Sequence, residues 1–183
     1  MPKNALENPL VLPILGLLVE QPRHPYAVFA ELRRRYPYLQ VRNSTVYTLL
    51  QTLGTAGWIE PVAGRPAPDA DRETLTTTAA GATALAEQVR AQLDAGDLSG
   101  GPIFLAALAY LAILPPGQAA DLLRTRADRL DAERERLRGV MASPEVLEIH
   151  MIEVAYLLDR LEHDRDWLRR TAGRIETSNL PWP

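Results

Sequence analysis

The distribution of proline and glycine constrains the fold of this 183-residue chain more than any other feature of its sequence. Both residue types are dense in Pro61 to Asp71 and in Asp94 to Pro102, whereas residues 119–175 contain only Pro144, Gly139 and Gly173. Proline and glycine interrupt helices and strands. The two dense stretches therefore predict loops that divide the chain, and residues 119–175 predict long helices.

The composition predicts a globular cytoplasmic protein. Hydrophobic residues make up 46% of the chain, which is enough for a buried core. The absence of cysteine excludes a disulfide framework and fits a reducing compartment, and no segment resembles a signal peptide. The most apolar window, Leu10 to Val19, is shorter than the roughly 20 residues of a membrane span, so we expect no membrane partner. Because the net charge is −3, any nucleic-acid site must be local.

Residues 9–57 carry the pattern of three helices. Pro9 to Val19 is apolar nearly all round, which is typical of an enclosed helix. A second helix runs from Pro25 to Pro37 and ends in Arg33 to Arg35, which either compensate the helix dipole or reach a phosphate backbone. A third begins at Asn43 or Ser44, both good N-cap residues. Its core face is predicted to consist of Val46, Leu49, Leu50 and Leu53.

The opposite face of the third helix has an unusual composition for a helix surface. It is rich in hydrogen-bonding side chains and contains no acidic residue: Ser44, Tyr47, Thr48, Gln51 and Thr55. Such a face is typical of a helix that reads a groove of nucleic acid, although a polar surface helix is the alternative. Arg42, at the start of the helix, is suited to contact a phosphate.

A β-hairpin and a fourth helix follow. Trp58 to Val62 and Arg72 to Thr76 alternate in polarity like two short strands, and the loop between them completes a predicted wing. A helix is then expected from Thr78 to about Leu93. The predicted order is helix, helix, helix, hairpin, helix.

The C-terminal half predicts long helices with apolar seams. We expect helices over Phe104 to Leu114, from Pro116 to about Met141, and from Leu147 to Ile175. Ile149, Ile152 and Tyr156 form a second apolar group on the last helix, so that helix should contact its own chain and another chain. Arg134 and Arg165 interrupt the seams, and each is either paired inside or extended to solvent.

Several motifs together resemble the PadR family of bacterial transcriptional regulators. They are Ile14 to Leu18, Pro22 to Tyr26, Ser44 to Tyr47 with Leu49, Leu50 and Leu53, Gly57 to Ile59, and Leu75 to Gly81. The resemblance covers roughly residues 9 to 95, and more loosely the region up to residue 175. The chain departs from the family pattern at Pro25, where glycine is usual, and in the acidic wing residues Asp69, Asp71 and Glu73.

The resemblance implies a mainly α fold with two domains. Residues 1–95 would form a winged helix-turn-helix domain with a two-stranded β-wing, and residues 96–183 a long-helix dimerisation domain. It implies a cytoplasmic, nucleoid-associated homodimer that represses transcription at a palindromic operator of double-stranded DNA. A small hydrophobic or aromatic effector would release it.

The predicted DNA-binding residues lie on the third helix and in the wing. They are Arg42, Ser44, Thr45, Tyr47, Thr48, Gln51, Arg65 and Arg72. Hydroxyl groups suit phosphate oxygens, and glutamine can pair with adenine through two hydrogen bonds. The acidic wing and the negative net charge keep an alternative open, in which the winged helix binds another protein and no DNA.

The sequence favours neither an enzyme nor a cofactor-binding protein. It has no glycine-rich phosphate loop, no nucleophile elbow and no cysteine nucleophile. The one group of residues that could hold a metal is His150, Glu153, Asp159, His163 and Asp166. His163 falls on the solvated face of its predicted helix, so we expect no metal site.

Overall fold

The computed structural model describes residues 5–62, 73–95, 97–141 and 147–182. The predicted contact residues Arg65 and Arg72 lie outside these ranges, as do Asp69 and Asp71 of the acidic wing. The described part is mainly helical, as predicted. Its helices are α1 (Val11–Glu20), α2 (Pro25–Arg35), α3 (Asn43–Thr55), α4 (Ala79–Asp94), α5 (Pro102–Ala109), α6 (Pro116–Met141) and α7 (Ile152–Glu176), and its strands are β1 (Ile59–Pro61) and β2 (Leu75–Thr77). Short 3-10 turns lie at Ala5–Glu7, Leu111–Ile113 and Glu148–Met151.

The chain divides into two compact units. The first comprises residues 1–92 and 100–113, and the second comprises residues 93–99 and 114–183. Helix α5 thus clusters with the N-terminal helices. These compact units are not the two predicted domains, residues 1–95 and 96–183. The boundary between residues 95 and 96 stays a prediction.

Helix α1 lies at the centre of the first unit. Every residue from Val11 to Leu18 is buried, as its apolar sequence predicts. The helix contacts α2, α5 and β2. A β-carbon on Gly16 would overlap the ring of Tyr110, so the absence of a side chain lets α5 approach closely. The Tyr110 hydroxyl lies 3.1 Å from that of Tyr36, in a buried hydrogen bond.

The two strands form the antiparallel hairpin that the alternating pattern predicts. Ile59 pairs with Thr77, and Pro61 pairs with Leu75. The sequence did not reveal an isolated bridge outside the hairpin, in which Arg23 and Leu75 exchange backbone hydrogen bonds of 3.0 and 2.9 Å. Arg23 also donates from Nε to the Leu17 carbonyl near the end of α1, so it caps that helix.

Helices α6 and α7 pack against each other as an antiparallel pair. The long apolar seams meet there, with Leu123, Ala127, Leu130 and Leu137 of α6 and Val154, Leu161, Leu168, Ala172 and Ile175 of α7 all buried. Leu147 was predicted to begin the second seam, but it is 70% exposed. The chain forms a 3-10 turn at Glu148–Met151, which rotates Leu147 out of the seam's register.

The two arginines in the seams are paired inside the second unit. Arg134 is 3% exposed and contacts Asp131 at 3.2 Å and Glu162 at 3.0 Å. Arg165 contacts the same two carboxylates at 2.9 and 3.1 Å. Burial is the largest single effect on the pKa of Asp131 and raises it, but the hydrogen bonds and charges of Arg165, Arg169 and Arg134 together lower it by more, so the net shift is downward. The arginines therefore bridge α6 and α7 through shared carboxylates.

Arg126 has a structural role that the sequence did not reveal. It is 2% exposed and donates to the carbonyls of Leu93, Ala95 and Asp97 at 3.4, 3.3 and 2.7 Å. The last carbonyls of a helix have no partner within the helix. Arg126 of α6 therefore caps the end of α4.

In the part of the chain that the structure describes, no helix is both long enough and apolar enough to cross a membrane.

Candidate nucleic-acid interface

Helix α3 presents two chemically distinct faces. Its buried face consists of Val46, Leu49, Leu50 and Leu53, as predicted. The predicted N-caps were wrong, since Arg42 occupies the N-cap position and makes no side-chain capping hydrogen bond. Asn43 and Ser44 are already within the helix. Packing of the apolar face, rather than a side-chain cap, therefore holds the start of the helix.

The described candidate contact residues all lie on α3 or at its N-terminal end. Arg42, Ser44, Thr48 and Gln51 are exposed, while Thr45 and Tyr47 are partly buried. Ser44, Thr48 and Gln51 follow helical spacing, so they share one face. The helix thus gathers six of the eight predicted residues, and Arg65 and Arg72 lie outside the described part of the chain.

The threonine hydroxyls of this face are already engaged with the helix backbone. Thr48 donates to the carbonyl of Ser44, Thr52 to that of Thr48 and Thr55 to that of Gln51, each at 3.0 Å. A hydroxyl has one proton to donate and keeps two acceptor positions. In this arrangement Thr48 offers an acceptor to a base amino group, rather than a donor to a phosphate oxygen.

The helix dipole of α3 favours an anion at its N-terminal end. No residue from Asn43 to Thr55 is charged, so the helix dipole is not opposed by an acidic side chain of the helix. Arg42 is exposed and has no ion-pair partner among the described residues. The end of α3 is therefore suited to a phosphate group.

The three arginines at the end of α2 are occupied within the protein. Arg34 contacts Glu31 through two hydrogen bonds of 2.8 and 2.6 Å, and Arg35 contacts Glu31 and Glu20 at 2.5 Å each. The hydrogen bonds from Arg34 and Arg35 lower the pKa of Glu31 to about 2. The Arg33 guanidinium lies 5.8 Å from the centre of the Phe29 ring. These contacts favour a structural role for Arg33 to Arg35.

A groove runs between α3 and the hairpin, and we call it the α3–hairpin groove. Its volume is about 550 Å³, and the predicted contact residues Tyr47 and Gln51 line it together with Glu60 and Glu73. The rest of its lining consists of Pro25, Leu50, Gly54, Gly57, Ile59, Pro61, Leu75 and Thr78. The sequence did not predict this groove. The acidic residue Glu73, which departs from the family pattern, was the one indication of an unusual surface at the hairpin.

No group of histidine, aspartate and glutamate side chains within the described ranges is placed to hold a metal ion. His163 is exposed on α7, which agrees with its predicted position on a solvated face.

The solved structures that resemble this chain include PadR and a PadR-like regulator from Bacillus species. Bacillus subtilis PadR in complex with operator DNA is 19% identical to the chain, with a TM-score of 0.40, and the match covers 91% of this chain and 98% of that one. The same protein in complex with p-coumaric acid is 18% identical, with a TM-score of 0.39 and coverages of 92% and 99%. The PadR-like transcriptional regulator BC1756 from Bacillus cereus is 13% identical, with a TM-score of 0.39 and coverages of 92% and 98%.

A sequence model of a known family matches the N-terminal part of the chain. No curated protein matches the chain significantly. Residues 14–87, which include α2, α3 and the hairpin, match the sequence model of the transcriptional regulator PadR-like family. This part of the chain is therefore similar to the PadR-like family of transcriptional regulators.

Proposed function

We propose that this protein is a dimeric repressor that binds a palindromic DNA operator and is released by a small hydrophobic or aromatic effector. The observation that carries the proposal is the uncharged, hydrogen-bonding face of α3, with exposed Arg42 at its positive end, in a PadR-like domain. The relatives are regulators, one of which is known bound to operator DNA and to p-coumaric acid. We propose no catalytic activity.

Each α3 residue has a role that follows from its chemistry. Gln51 is exposed and can pair with adenine through two hydrogen bonds. Thr48 would accept a hydrogen bond from an amino group on a base edge, since its proton is donated to Ser44. Arg42 would hold a phosphate at the end of the helix. Ser44, Thr45 and Tyr47 would supply further hydroxyl contacts to the backbone.

The second unit supplies a surface for a partner copy. Large apolar side chains at the start of α7 and in the turn before it are strongly exposed in the single chain: Leu147 at 70%, Ile149 at 66%, Ile152 at 63% and Tyr156 at 67%. Soluble proteins rarely leave such a group uncovered. A dimer formed through this surface would carry two α3 helices, and operator binding requires them to lie one helical turn of DNA apart, roughly 34 Å.

The direct test is to remove the base-contacting groups. We expect the variant T48A/Q51A to bind operator DNA at least about tenfold more weakly, because a good pair of hydrogen bonds to a base contributes about 1–3 kcal/mol. Fluorescence anisotropy on a labelled duplex measures the change, and size-exclusion chromatography shows whether the variant keeps the oligomeric state of the parent.

The matched control is T83A/Q88A on α4. Thr83 is exposed and donates to its own helix backbone at 3.0 Å, as Thr48 does. This control should bind the duplex as the parent does. Unchanged binding by T48A/Q51A would contradict the proposed contacts of α3. Failure of the parent to bind any duplex would favour a winged helix that binds another protein.

A further inference from the structure

The α3–hairpin groove is open, and most of its described lining is apolar. Leu50 and Ile59 are 5% and 3% exposed, and they line the groove with Pro25 and Leu75. Gly54 and Gly57 lie on its wall, and a β-carbon at either would meet no atom within 4 Å. A volume of about 550 Å³ is in the range of pockets that hold small organic molecules.

The charged side chains in the described lining of this groove are both acidic. Glu60 on β1 and Glu73 just before β2 line it, and its described lining includes no basic residue. Neither carboxylate forms an ion pair with any residue in the described ranges. The Tyr47 side chain adds an aromatic ring, whose face attracts cations. The described lining of the groove therefore combines apolar side chains with two carboxylates that have no ion-pair partner in the described ranges.

We propose that the α3–hairpin groove binds a hydrophobic organic cation, and that this cation competes with DNA for Tyr47 and Gln51. The apolar body of the ligand would lie over Leu50 and Ile59, and its positive charge would lie beside Glu60 and Glu73. The competition rests on the proposed function, whereas binding of the cation does not.

The probes are two ions of one shape and opposite charge. Tetraphenylphosphonium is a hydrophobic cation, and tetraphenylborate is its anionic counterpart. In isothermal titration calorimetry on the full chain at low salt, we expect one phosphonium ion to bind per chain and the borate to bind at least about tenfold more weakly. Equal binding of the two ions would overturn the proposal, and this comparison needs no variant.

A second measurement locates the site. The variant E60Q/E73Q keeps the shape of both side chains and should lose at least about tenfold in affinity for the phosphonium ion. The control E87Q/E153Q removes two exposed carboxylates elsewhere and makes the same change in net charge. If both variants lose affinity equally, the attraction is a property of the whole molecule and the proposed site is wrong.

The last arm links the site to DNA. Phosphonium should raise the Kd of the parent for its operator duplex, and it should do so much less for E60Q/E73Q. Phosphonium binding without any operator binding would leave the cation site standing and contradict the proposed function. Operator binding that phosphonium does not affect, at concentrations that fill the site, would contradict the competition.

Discussion

Gly16 shows how one residue decides the packing of the first unit. Nothing in the leucine-rich sequence around it reveals that the Tyr110 ring lies against its α-carbon. The pairing of Tyr110 with Tyr36 is equally hidden, because these residues are far apart in the chain and only the fold brings their hydroxyls within 3.1 Å. The periodicity of a sequence identifies which residues are buried, but not which of them meet.

We expect the variant G16A to lower the free energy of unfolding by about 1–3 kcal/mol, because the added methyl group overlaps the Tyr110 ring in a closely packed core. Urea denaturation followed by circular dichroism measures the change.

The matched control is G139A, at an exposed glycine of α6 where a β-carbon would meet nothing within 4 Å. Alanine has the higher helix propensity, so this variant should gain up to about 1 kcal/mol. If G16A were as stable as G139A, the close approach of Tyr110 to α1 would be refuted.

The predicted DNA contacts show which properties of a single residue its type and position can and cannot indicate. Residue type and spacing indicated which side chains share the exposed face of α3. They could not indicate that the Thr48 hydroxyl donates to the Ser44 carbonyl, which changes the kind of group that Thr48 can recognise. Side-chain orientation depends on local geometry that residue type does not specify.

At the scale of the elements, hydrophobic periodicity predicted the helices and the hairpin. It was sufficient because each element buries one face, and the period of that face distinguishes helix from strand. The isolated bridge between Arg23 and Leu75 could not be predicted in this way, since a single residue pair has no hydrophobic period. The capping of α4 by Arg126 also escaped detection, because it joins residues about thirty positions apart.

Arg126 gives a prediction about the end of α4. The variant R126M should lose about 2–4 kcal/mol of stability, since the backbone carbonyls that Arg126 satisfies would be left without that donor in a buried place. Thermal and urea denaturation measure the loss.

The control R138M changes an arginine of the same helix that is exposed and paired with Glu135. An exposed pair contributes little, so we expect a change of under about 1 kcal/mol. Equal effects of R126M and R138M would show that the buried contacts of Arg126 do not stabilise α4.

At the scale of the whole molecule, the exposed apolar group around Ile152 predicts assembly. The sequence placed Ile149, Ile152 and Tyr156 on a second apolar stripe, and in the structure all three are exposed. Leu147 belongs to the same exposed group because a 3-10 turn precedes α7. The turn could not be predicted, because the apolar spacing of the sequence continues without interruption from Leu147 into the helix. A partner copy is the proposed cover for this surface.

The variant I152E should convert the proposed dimer to monomers, because it would place a charge in the core of the proposed interface. Light scattering after size-exclusion chromatography measures the mass. The control H163E introduces the same side chain at an exposed position of the same helix and should remain dimeric. A dimeric I152E would show that the partner copy contacts the chain elsewhere.

The central claim is sequence-specific recognition of DNA by two α3 helices, and selection from a library of random duplexes tests it most directly. The protein is allowed to bind the library over several rounds, and the retained duplexes are sequenced. We predict an enriched motif with two-fold symmetry and half-sites about 10 base pairs apart, which T48A/Q51A fails to enrich. A retained pool with no preferred sequence, under conditions where the protein is folded and dimeric, would contradict the account.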